Sequence, residues 1–152
     1  MSPGSGTRVR GPGFALLAGI FCLGSIVSAE AERIDSADPD QVGRGRDVYA
    51  AECASCHGAD LAGESNWKVP RPDGIYPAPP HDETGHTWHH DDALLFDYTK
   101  RGGAAVIGGT FKSGMPGFGD RLSDEEIRAV IAFIKSTWPK EIQERQEDMN
   151  GG

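Results

Sequence analysis

Apolar positions along the chain fall into four groups with different spacing. The first is a run of 14 residues from Phe14 to Val27, broken only by small Gly and Ser. Arg8 and Arg10 precede it, and the triplets Val27-Ser28-Ala29 and Ala29-Glu30-Ala31 follow it. A positive start, an apolar middle and a small-residue cleavage site predict a secretory signal peptide over 1–29. An uncleaved membrane anchor is the alternative, although 14 residues fall short of the ~20 that a spanning helix needs. Residues 30–38 are mostly polar and read as a flexible lead-in.

The other three groups carry helical spacing. Val42, Gly45, Val48, Tyr49 and Cys53 recur three or four apart, which puts them on one face of a helix. Asp38 or Asp40 can cap it, Pro39 suits its first position, and it should run to about Ala54. Gly45 costs about 1 kcal/mol inside a helix relative to Ala, so it reads as a place where another helix comes close. Ala93, Leu94, Leu95, Phe96 and Tyr98 form a shorter apolar group behind Asp91 or Asp92. That helix should end near Arg101, at Gly102 and Gly103. Ser123-Asp124-Glu125-Glu126 is a capping box, and Ile127, Val130, Ile131 and Ile134 continue from it toward Trp138, with Pro139 as a stop. The glycine- and proline-rich stretches 58–80 and 102–119 predict loops. Lys140–Gly152 is charged and reads as a frayed C-terminal tail. The expected fold is all-α: about three main helices with long loops, in one domain over 39–139.

Charge narrows the partners. The two arginines near the start are the only basic residues before Ala29, so the remainder carries 13 basic against 23 acidic residues, a net charge of −10. Such a surface disfavours nucleic acid and anionic membranes, and leaves open a partner with a basic rim. Cleavage after Ala29 would also remove Cys22, leaving only Cys53 and Cys56 of the 3 cysteines.

Those two belong to Cys53-Ala54-Ser55-Cys56-His57. Two cysteines, two spacers and a histidine read as a c-type haem attachment motif. Each thiol can add to one vinyl group, and His57 follows closely enough to bind the iron from below. A zinc half-site would need two more ligands at matching spacing, and no second C-x-x-C exists. A dithiol redox motif would want a βαβ context, which the pattern lacks. The cofactor expected from the residues is therefore one covalent haem c. With that haem in the core, loops that bury little apolar surface of their own can still fold.

From about Asp40 to Pro139 the chain resembles a class I monohaem cytochrome c. Gly45-x-x-x-Tyr49 lies ahead of the haem motif, Thr87-Trp88 ahead of the middle helix, and Met115-Pro116 ahead of the last. Ala132-Phe133-Ile134 supplies the aromatic that crosses the first helix at its glycine. The resemblance implies Met115 as the sixth iron ligand, opposite His57. Met1 goes with the signal and Met149 lies in the tail, which leaves Met115; its alternative role is a core gap-filler. Pro79 or Pro80 resembles the proline whose carbonyl accepts the Nδ1–H bond of the iron-binding histidine. His81 stands where the family often has a leucine. Trp88 resembles the indole that donates to a haem propionate; a plain core aromatic is the alternative.

The implied function is one-electron transfer in the periplasm, as an electron carrier rather than an enzyme, between a redox donor and an acceptor. Two other readings stay open. One is a haem enzyme or sensor with an open or labile sixth ligand. The other is a copper- or metal-handling haem protein using the cluster His81, His86, His89 and His90. The insert Glu64–Ile75, with Trp67, carries no readable motif and is available as a partner surface.

Overall fold

The computed structural model describes residue 1 and residues 33–151. The expected signal peptide and its cleavage sites lie outside the described residues. Every regular element among the described residues is helical: α1 (Pro39–Val48), α2 (Ala54–His57), α3 (Asp92–Arg101), α4 (Gly103–Ile107), α5 (Asp124–Ser136) and α6 (Lys140–Asn150). None of these helices is long and apolar enough to cross a membrane.

The caps act where the sequence puts them. Asp38 accepts from the Asp40 amide with Pro39 at the first helical position. Asp91 accepts from the Leu94 amide. Ser123 and Glu126 close a reciprocal capping box. Each satisfies amide donors that a helix start leaves orphaned. Helices α1 and α2 are one continuous rod, joined by a π-helical turn over Tyr49–Cys53. The wider turn shifts the phase of all that follows it, and so re-aims Cys56 and His57.

Helices α1 and α5 cross and form the frame. Their core holds Tyr49, Ile127, Val130, Ile131, Ala132, Ile134 and Trp138. A Cβ built on Gly45 would overlap the Ala129 carbonyl oxygen and lie 2.9 Å from Phe133 Cβ. The glycine that costs helix propensity thus permits the backbones to touch. Gly45→Leu should destabilise by about 3 kcal/mol, the upper end for overpacking, because backbone rather than a movable side chain stands in the way. A melting temperature equal to that of the parent would remove this crossing as a constraint.

Three segments expected as irregular are ordered. Residues 33–38 are not a loose lead-in: Gln41 accepts from the Asp35 amide at 2.7 Å and donates to the Arg33 carbonyl at 2.9 Å, and Ile34 joins the core. Gly103–Ile107 makes a short helix inside the glycine-rich stretch. The C-terminal tail is not frayed. It is α6, docked over the Thr87–His89 turn by Gln146, which is fully buried and donates to the His90 carbonyl and to Asp92. Composition alone reads α6 as solvated, because polar side chains, Gln146 foremost, hold it where an apolar stripe would be expected.

Candidate functional site

The rod α1–α2 ends at His57, which is buried, and Gly58 closes it with a φ of 81°. Tyr49 braces this end by donating its hydroxyl to the Gly58 carbonyl at 2.9 Å. The Gly63 amide donates to the His57 carbonyl at 2.8 Å, and the Glu64 amide to the Ala78 carbonyl at 2.8 Å. Those bonds draw the proline-rich loop beneath the motif. There His57 Nδ1 meets the Pro79 carbonyl at 2.8 Å. A carbonyl only accepts, so Nδ1 carries the proton and Nε2 keeps its lone pair, the state a metal ligand requires. Desolvation holds His57 protonation below the usual histidine range, against the opposing pull of the Pro79 carbonyl.

Cys53 is half-buried and Cys56 exposed, and neither is in a disulfide. Burial, then the charges of Glu52 and Cys56, push the Cys53 thiol up to about 11. A dithiol redox centre depends on a depressed thiol, so this environment argues against that chemistry. Among the described residues no three His, Cys, Asp or Glu side chains group as a metal site, so nothing completes a zinc site here.

Met115 lies between α4 and α5, half-buried and packed on the edge of the core. Its carbonyl accepts from the Gly103 amide at 3.3 Å, and its amide donates to Ser113 Oγ at 3.1 Å. Gly102, with φ of 84°, sits under this loop; a Cβ there would lie 2.6 Å from the Gly117 amide nitrogen and 3.1 Å from the Met115 carbonyl oxygen. Only glycine combines that backbone angle with that closeness. Trp88 is half-buried, and its indole donates to the Glu83 carbonyl at 3.2 Å. In this structure the hydrogen expected for a propionate has a local acceptor.

The histidine cluster separates only in part, and His86 and His90 stay edge to face with ring centroids 5.5 Å apart. His81 stacks on His57, His86 stacks on Trp67 with ring centroids 5.2 Å apart, and His89 lies against Trp88 at 3.7 Å. The insert is tied down at both ends: Glu64 holds Arg71 and the Ala78 amide, and Lys112 donates to the Asp73 carbonyl. Two features escaped sequence reasoning. The Trp138 indole donates to the His81 carbonyl at 2.7 Å, and the His57–His81 stack joins residues that only the loop fold brings together. His81 standing where the resembled family often has a leucine was the one available signal.

These surroundings fit a flat apolar group. Helix α3 carries Leu94, Leu95, Phe96 and Tyr98 yet has no buried residue, and Leu94 and Ile107 remain exposed. Exposed Leu94 and Ile107, a half-buried and an exposed thiol, and a lone-pair imidazole are together the chemistry that a thioether-linked porphyrin would use.

Comparison with known proteins agrees with that chemistry. The family model described as Cytochrome c matches residues 42–138. A curated relative, the Cbb3-type cytochrome c oxidase subunit CcoP of Azospirillum sp. (strain B510), is 30% identical over 99 residues, 65% of this chain and 29% of the relative. The chain therefore spans less than a third of that relative's length. No solved structure matches the chain. With the family match covering both crossing helices, the haem motif and the Met115 loop, this chain belongs to the cytochrome c family, whose covalent haem c is its cofactor.

Proposed function

We propose that this protein is an exported, periplasmic single-haem electron carrier, and not an enzyme in its own right. In this reading residues 1–29 direct export and residues 39–139 form the electron-transfer domain. Cys53 and Cys56 anchor the haem, and His57 and Met115 bind its iron. The observation that carries the proposal is the His57 Nδ1–Pro79 bond, which presents Nε2 in the tautomer a metal ligand needs. When bound, haem supplies a one-electron iron couple. His57, buried in the protein, would keep water from its own bond to the iron, and Met115 as a ligand would favour the ferrous form and raise the potential. No residue need give or take a proton for this function.

The partners are a redox donor and acceptor, with no role for nucleic acid. The likeness to an oxidase subunit supports service within, or delivery to, a terminal oxidase. The net negative surface suits partners with a basic rim.

Two measurements test the proposal on protein matured with haem. Acid–acetone extraction should leave the colour with the polypeptide. The dithionite-reduced protein should resist carbon monoxide. Colour passing to the organic phase would refute thioether attachment. Immediate carbon monoxide binding would replace the carrier reading with an open-site haem enzyme or sensor.

A further inference from the structure

His57 has one fixed nitrogen. A single hydrogen bond to the Pro79 carbonyl restrains Nδ1 at one point, so the ring plane can still rock as far as that one soft contact and the side-chain torsions allow. The orientation of an axial imidazole about its bond to iron affects how electron density spreads over the porphyrin, so a second contact that sets the ring plane has a function.

The structure contains such a contact. The His81 ring lies on the His57 ring with centroids 3.9 Å apart and planes 23° from parallel. That is van der Waals contact over a face, which restrains rotation as a point contact cannot. His81 is itself held from several directions. Its Nδ1 is joined to Thr87 Oγ1 at 2.9 Å, and Thr87 is buried. Its amide donates to the Leu61 carbonyl at 2.8 Å. Its carbonyl accepts from the Trp138 indole at 2.7 Å. The Tyr49 ring stands edge-on to it, 6.3 Å away. The plate is thereby connected to the α1–α5 core and to the base of α6, not to a mobile loop alone.

We propose that His81 is a positioning residue: its ring, held by Thr87 Oγ1 on a backbone anchored by the Trp138 indole, fixes the plane of the His57 imidazole and places a polar, polarisable group beside the iron's ligand. This rests on His57 binding the iron. The plane sets the pattern of unpaired spin on the ferric haem. The polar ring favours the more highly charged ferric state, and so lowers the potential relative to an apolar neighbour.

The test uses the haem-loaded protein and three variants: His81→Leu, His81→Phe and Thr87→Val. Proton NMR of the ferric form reads the spread of the haem-methyl shifts, and redox titration reads the midpoint potential. His81→Leu should alter the methyl spread and raise the potential. His81→Phe keeps a flat face, and should restore the spread toward the parent while the potential stays raised. Thr87→Val frees the ring and should broaden the ferric spectrum. A His81→Leu protein that retains His57 ligation, with methyl spread and potential both unchanged, would overturn the proposal. Absence of hyperfine-shifted His57 resonances in the parent would instead overturn iron binding by His57, and the positioning role with it.

Discussion

Met115→Ala should convert a haem protein closed to small ligands into one that binds carbon monoxide stoichiometrically. The surrounding loop does not depend on the methionine side chain for its shape. The Gly103 amide holds the Met115 carbonyl, and the Phe118 and Gly119 amides pair with the Thr99 and Lys100 carbonyls. Gly102 packs against Pro116 and Gly117 from beneath. The variant should therefore fold, losing about 2 kcal/mol of packing, at the low end for Met→Ala because the side chain is only half-buried. The functional change is far larger. The thioether-to-ferric charge-transfer band at the red end of the spectrum should vanish, and the midpoint potential should fall. A parent protein that lacks the band, or a variant still closed to carbon monoxide, would remove Met115 from the iron.

Asp92→Ala should produce a large loss of stability although it lies outside the haem motif and the α1–α5 crossing. Lys135 points inward from α5 with its side chain 3% exposed, and Asp92 meets it through both carboxylate oxygens at 2.8 Å. The same carboxylate accepts from Gln146 at 2.8 Å, and the Asp92 amide donates to Asn150 Oδ1 at 2.8 Å. One side chain at the start of α3 thus joins α3, α5 and α6. Its removal leaves a buried ammonium with Glu147 at 3.6 Å as its remaining ion-pair partner. Breaking a buried pair from one side costs about 3–5 kcal/mol; a value near 3 is expected, since Glu147 can move closer. Adding Lys135→Met to Asp92→Ala should recover part of the loss, because the stranded charge is then gone. Urea unfolding of the haem-loaded proteins measures both, and a single variant within 1 kcal/mol of the parent on the scale of ordinary surface changes would refute this linkage.

Much of this molecule follows from sequence because its signals are local. Haem attachment depends on two thiols and an imidazole within five consecutive residues, Cys53 to His57, and no distant segment is needed to recognise it. The helix starts at Asp38, Asp91 and Ser123 depend on side chains two or three residues from the amides they satisfy. Gly45 stood out because a glycine within an apolar helical face needs a reason, and that reason proved to be the backbone of Ala129.

Tertiary structure decided what depends on distant partners. Helix α6 has little apolar surface, and is stable because Gln146 reaches His90 and Asp92 more than fifty residues away. Lys135 lies on the inward side of α5, where sequence patterning expects an apolar residue, and is tolerated because Asp92 is delivered to it by another helix. The histidines between 81 and 90 resemble a metal cluster when written in a line. Folding sets His81 on His57, His86 on Trp67 and His89 on Trp88, and keeps only His86 and His90 of the four edge to face, since loop backbone, not helical period, sets where each ring points. His81 beneath His57 is the plainest case: 24 residues separate them in sequence, and only the hydrogen bonds of the proline-rich loop bring one ring onto the other.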